Sequence, residues 1–169
     1  MPFLKLSASL LAAGLLVSGC DLDWDEILSD DFPQTSACPN FKGTPSYGDV
    51  DFSAALSPEP YRIEIAAGGK IDASDCISRT SGYVSESPDL DLYLRGRASR
   101  LYFNVEAESD TTLLINTPEG EWLYDDDSGP GLNPEIVVRN PEPGIYSVWV
   151  GARFESSQYE ESTLTIRSE

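Results

Sequence analysis

Apolar residues recur at every second position through most of this chain, and that period confines it to half-buried strands. Val50, Phe52, Ala54 and Leu56 alternate with Asp49, Asp51 and Ser53, and Tyr61, Ile63 and Ile65 alternate with Arg62 and Glu64. Leu90, Leu92 and Leu94 follow, then Leu101, Phe103 and Val105. The same rhythm returns over residues 112–116, 121–124, 135–139, 146–150 and 163–167. In an extended chain successive side chains point to opposite faces, so each run offers one face to a core and the other to water. Pro58-Glu59-Pro60, Gly68-Gly69, Pro118-Glu119-Gly120, Gly129-Pro130-Gly131 and Pro141-Glu142-Pro143-Gly144 separate the runs, with the fixed φ of proline and the free φ of glycine that turns require. Outside the N-terminal leader no stretch carries a helical stripe. About nine short strands at this spacing predict one all-β, antiparallel domain over residues 41–169, a sandwich or a barrel.

The first residues follow another logic. Lys5 precedes an apolar run over residues 6–17, and Ser18-Gly19 leads to Cys20. A base, a short apolar run and small residues make the layout of a secretory signal peptide over residues 1–19. The run is too short to span a bilayer, which takes about 20 residues of helix. Leu16-Val17-Ser18-Gly19-Cys20 resembles the lipobox of bacterial lipoproteins, which implies cleavage before Cys20 and a lipid on its sulfur. Ordinary cleavage nearby, leaving Cys20 free or bridged to another chain, is the alternative. The chain has three cysteines. With Cys20 taken by lipid, Cys38 and Cys76 remain as a pair, suited to an oxidising compartment. The expected location is the bacterial cell envelope, anchored to a membrane rather than spanning it.

Acidic residues number 29 against 11 basic ones, for a formal net charge of −18. Such a chain is repelled by phosphate backbones, which excludes nucleic acid as a natural partner. Asp21, Asp23, Asp25, Glu26, Asp30 and Asp31 carry no base between them, and residues 20–40 read as an acidic tether.

A family resemblance joins the later runs. Pro88-Asp89-Leu90-Asp91-Leu92-Tyr93-Leu94 is followed by Thr111-Thr112-Leu113-Leu114-Ile115, by Asp125-Asp126-Asp127-Ser128-Gly129, and by Pro143-Gly144-Ile145-Tyr146-Ser147-Val148-Trp149-Val150. That order resembles the bacterial pre-peptidase C-terminal domain, over roughly residues 56–166. The resemblance implies a jelly-roll-like β-sandwich. It also implies association with secretion, with substrate or matrix binding, and in some members with calcium.

Three constellations bear on chemistry. Asp127-Ser128-Gly129-Pro130 looks like the nucleophile sequence of chymotrypsin-like peptidases, but the chain contains no histidine. A serine hydroxyl without a base to take its proton is inert, and Lys42 and Lys70 sit in turn-like, solvated contexts. Asp-Ser-Gly therefore reads as turn chemistry, and the expectation is a protein that is not an enzyme. Asp125, Asp126, Asp127 and Asn133 cluster in one loop, with Asp89 and Asp91 on the outward side of another strand. These oxygens are candidate calcium ligands; a solvated acidic turn is the alternative. Finally, if Tyr146, Val148 and Val150 face the core, Trp149 faces outward, and Trp122 and Tyr124 share one face of their strand. Outward aromatics stack on sugars or anchor a protein partner, unless a neighbouring loop covers them. The function expected is a lipid-anchored module binding a protein or glycan; the alternative is an accessory domain with no ligand of its own.

Overall fold

The computed structural model describes residues 37–53, 59–156 and 159–169. The expected signal peptide, the lipidated Cys20, most of the tether, and Ala54 and Leu56 of the first alternation lie outside the described residues.

The described residues form two sheets and eleven strands: β1 (Asp49–Ser53), β2 (Tyr61–Ala67), β3 (Ile71–Asp72), β4 (Tyr83–Val84), β5 (Leu90–Arg95), β6 (Arg100–Ala107), β7 (Thr111–Asn116), β8 (Trp122–Asp125), β9 (Glu135–Arg139), β10 (Gly144–Ala152) and β11 (Glu160–Ser168). One sheet runs β1-β5-β10-β7-β8, and β4 and β3 join it at the far end of β10. The other runs β2-β11-β6-β9. Their facing sides meet in one core. Phe52, Leu92, Ile115 and Val148 come from the first sheet, and Ile65, Phe103, Val105 and Leu164 from the second. The period-two reading is plainest in β5: Leu90, Leu92 and Leu94 are buried, while Asp91 and Tyr93 between them are half-buried on the other side.

Two expectations need correction. The strand count exceeds nine because β3 and β4 have two residues each, too short to show any alternation. The sandwich is also not wholly antiparallel, since β1 pairs with β5 in parallel. The chain leaves β1, crosses to the opposite sheet for β2 and comes back through β3 and β4, so β5 arrives running the same way as β1.

The segment between β3 and β4 makes a second, smaller core on the outer side of the large sheet. Asp72 caps a short 3₁₀ turn at residues 73–75 by accepting from Ser74 N at 2.9 Å. Ala73 and Val84 then pack with Leu114 and Trp149, bordered by Ile71, Ile77, Trp122 and Tyr124. Gly69 permits the approach, because a Cβ there would lie 1.9 Å from the Val84 carbonyl carbon. The Cys38–Cys76 disulfide joins this cap to the chain entering the domain. That entering segment is itself hydrogen-bonded, Asn40 N donating to Glu86 O and Tyr47 N to Asp89 O. The folded domain therefore takes in Cys38–Asn40, which the sequence reading assigned to the tether.

A candidate binding groove on the outer sheet face

Strand register assembles a polar row across the middle of the large sheet. Ser147 on β10 stands opposite Asp91 on β5 and opposite Asn116 on β7. Asp49 on β1 extends the row at one end, and Trp122 on β8 extends it at the other. Neighbouring strands are about 4.8 Å apart, so three polar side chains stand side by side on the outer face. Ser147 is 3% exposed and Asn116 is 5% exposed.

These groups are incompletely satisfied. Asp91 Oδ1 is buried with no hydrogen-bond partner. Burial pushes the Asp91 carboxyl above its usual range, a hydrogen bond from Ser147 pulls it down, and the nearby Asp49 carboxylate pushes it up again. Asn116 Nδ2 reaches only Glu121 O, at 3.5 Å, the outer limit of a hydrogen bond.

A groove of about 520 Å³ runs over this row, within the range of small-ligand sites. Its floor is Asp91, Ser147, Asn116 and Thr117. One wall is Phe41 and Lys42 from the entering segment; the other is Ile145 and the Pro118–Gly120 turn. Gly144 keeps that wall close, since its φ is +150° and a Cβ would lie 2.7 Å from the Pro118 Cβ. The Phe41 ring meets Trp122 edge-on at 6.4 Å, and Trp122 lies 5.3 Å from Trp149. A stack of three rings thus ties the groove wall to the smaller core.

The sequence-predicted aromatic site is corrected by this packing. Trp149 does lie on the side of β10 opposite Val148 and Val150, but it is fully buried. The cap from residues 71–84 covers it, so it presents no ring to a ligand. Trp122 and Tyr124 share its face as expected, half-buried against the same cap. Tyr124 shares a hydrogen bond with the Ser81 hydroxyl.

The expected calcium ligands do not converge. Asp125 spends its carboxylate locally: Oδ2 accepts from Ser128 N at 3.0 Å and Glu135 N at 2.9 Å, and Oδ1 from Ser128 Oγ at 2.6 Å. Asn133 Oδ1 accepts from Thr111 Oγ1, and its Nδ2 donates to Ala107 O. Asp126 faces Arg153 at 3.7 Å. Asp89 and Asp91 belong to the β5 side, three strands from β8, or about 14 Å away. Asp89 is buried and accepts from Val150 N at 2.7 Å. Among the described residues no group of three or more acidic or cysteine side chains is placed to hold a metal ion. The same bonds place Ser128 in an Asx-type turn, its hydroxyl pointed at a carboxylate that closes the loop.

Another hollow, of about 700 Å³, lies on the outer face of the small sheet, lined by Glu64, Glu106, Glu108, Glu160 and Glu161. No Lys or Arg is among its lining residues, and it reads as solvated acidic surface.

Sequence reasoning named Asp91 as a candidate calcium ligand and did not single out Ser147 or Asn116. The signal for Ser147 was present: it is the polar residue inside Tyr146-Ser147-Val148-Trp149-Val150. Its partners become visible only once the registers of β5, β10 and β7 are known. No protein-family model matches the chain, and no curated protein is similar to it.

Proposed function

We propose that this chain is a non-enzymatic, lipid-anchored module of the bacterial cell envelope that binds a protein or glycan in the groove over Asp91, Ser147 and Asn116. The observation that carries the reading is an under-satisfied polar row at the bottom of a groove with apolar walls. A few convergent polar groups in a mainly apolar concavity make the usual anatomy of a binding site. The lipobox-like Leu16–Cys20 run supports the anchor, and the absence of histidine from the sequence supports a role without bond cleavage.

Binding of the whole chain to isolated cell-envelope material tests the groove. Ile145 is 42% exposed on the rim, so Ile145→Arg fills the groove without disturbing the core, and loss of binding in this variant is the expected result. Undiminished binding by a folded Ile145→Arg protein removes the groove from the reading. Mass spectrometry of the mature N-terminus checks the anchor, which an unmodified Cys20 rules out. The alternative of an accessory domain without a ligand draws on the burial of Trp149, and it expects no envelope binding by either protein.

A further inference from the structure

The floor of the groove meets a ligand with side chains. Its floor lies on three adjacent strands whose backbone groups already pair with one another: β5 with β10, and β10 with β7. Recognition of an extended peptide draws on main-chain pairing at a free sheet edge. Here a peptide would lay its own amides over a face that cannot return those bonds, and unpaired buried amides are costly.

Charge narrows the ligand further. Asp91 Oδ1 needs a donor, and a hydroxyl or an ammonium can supply one. Lys42 stands on the same groove, and its charge opposes a cation. Asp91 itself, together with a chain of net charge −18, opposes an anion. A ligand rich in hydroxyls and without charge meets neither opposition. It donates to the Asp91 carboxylate and accepts from Asn116 Nδ2, whose present contact at 3.5 Å is at the outer limit of a hydrogen bond. Ser147 between them gives its hydroxyl proton to Asp91 and can accept.

The walls fit the rest of such a molecule. Phe41 is 44% exposed and Ile145 is 42% exposed; with Pro118 they offer apolar surface to the C–H faces of a sugar ring, while the hydroxyls meet the floor. The floor side chains are held by sheet packing, so little conformational freedom is lost on binding.

We propose that the ligand of this groove is a neutral glycan, a hexose or N-acetylhexosamine unit whose hydroxyls donate to the Asp91 carboxylate and accept from Asn116. This inference rests on the groove being the binding site, as put forward above.

The test uses the whole chain, isotope-labelled, against three probe sets: neutral hexose and N-acetylhexosamine oligosaccharides, sulfated oligosaccharides, and lysine-rich peptides. The expected result is binding from the neutral set that shifts the amide signals of Gly120, Gly144 and Ile145. Asp91→Asn should weaken that binding about tenfold, because a charge-assisted acceptor becomes a neutral one. Ile145→Ala, on the exposed rim where folding is not at stake, should also weaken it. Groove-directed binding of the peptides or the sulfated sugars instead, with the neutral set silent, overturns the glycan assignment and leaves the groove standing. Binding of a neutral sugar that is indifferent to both substitutions and shifts other amides overturns the glycan assignment and the groove together, as does silence from all three sets.

Discussion

Asp89→Asn turns a buried carboxylate into a neutral amide of nearly the same shape, and its effect on stability should depend steeply on pH. Asp89 is 4% exposed. The hollow beside it, lined by Ser46, Tyr47, Ser85 and Tyr159 among others, holds no Lys or Arg. Burial lifts its carboxyl from the ordinary 3.8 to about 7, against the weaker downward pull of the hydrogen bond from Val150. An acid that holds its proton more tightly in the fold than in the open chain favours folding at low pH. That contribution is complete below pH 3.8 and is lost as the pH rises through about 7. Each pH unit of the interval is worth about 1.4 kcal/mol, so the wild type gives up about 4 kcal/mol across it. The asparagine has no proton to lose, and its amide oxygen still accepts from Val150 N. Near pH 4 the variant should match the wild type or fall about 1 kcal/mol below it, from the change of acceptor. Above about pH 8 it should be more stable by about 3 to 4 kcal/mol. Urea unfolding with the disulfide intact, repeated at about pH 4, 5.5, 7 and 8.5, reads this from the midpoints at constant slope. The other carboxylates titrate alike in both proteins and cancel in the difference. A difference that stays flat over this range would mean that ionised Asp89 is as well accommodated in the fold as in water, and the reasoning would fail.

Other outcomes follow from the packing. Replacing both Cys38 and Cys76 by serine opens a bridge of sequence separation 38 and should cost about 4 kcal/mol on the chain-entropy account; it should also loosen the Phe41 wall, seen as a red shift of tryptophan emission, and an unchanged spectrum would argue against that tie. Trp149→Ala should cost about 3 to 5 kcal/mol in thermal or urea unfolding; a near-neutral effect would place the ring at the surface. Asp125→Ala removes the acceptor of three hydrogen bonds and should cost about 2 kcal/mol. Because those bonds already occupy the carboxylate, millimolar calcium should leave the melting midpoint where a chelator leaves it, and a rise of several degrees on adding calcium would reinstate the loop as a cation site.

The two layers were legible in the sequence because period two is a property of single strands. Leu90, Leu92 and Leu94 announce their common face without reference to any neighbour. β3 and β4 escaped because Ile71-Asp72 and Tyr83-Val84 are too short to establish a period. Trp149 shows a subtler limit. Alternation placed it correctly on the outer side of β10, but its exposure depended on residues 71–84, distant in the chain, folding over it. The groove lies at the same level. Asp91, Ser147 and Asn116 come from three strands, and only the ladder registers bring them level. The loop carboxylates misled for the opposite reason. Asp125, Asp126 and Asp127 are adjacent in sequence, but adjacency does not reveal that Ser128 and Glu135 claim the first of them.

The position of β11 bears on when the domain can fold. It follows the other ten strands of the described residues, yet it lies inside its sheet, laddered to β2 on one side and to β6 on the other. Without residues 160–168, β2 and β6 have no common neighbour, and the core loses Leu164 and Ile166, which stand beside Val105 and Phe103. Folding of this sheet therefore depends on long-range pairing, which is slow.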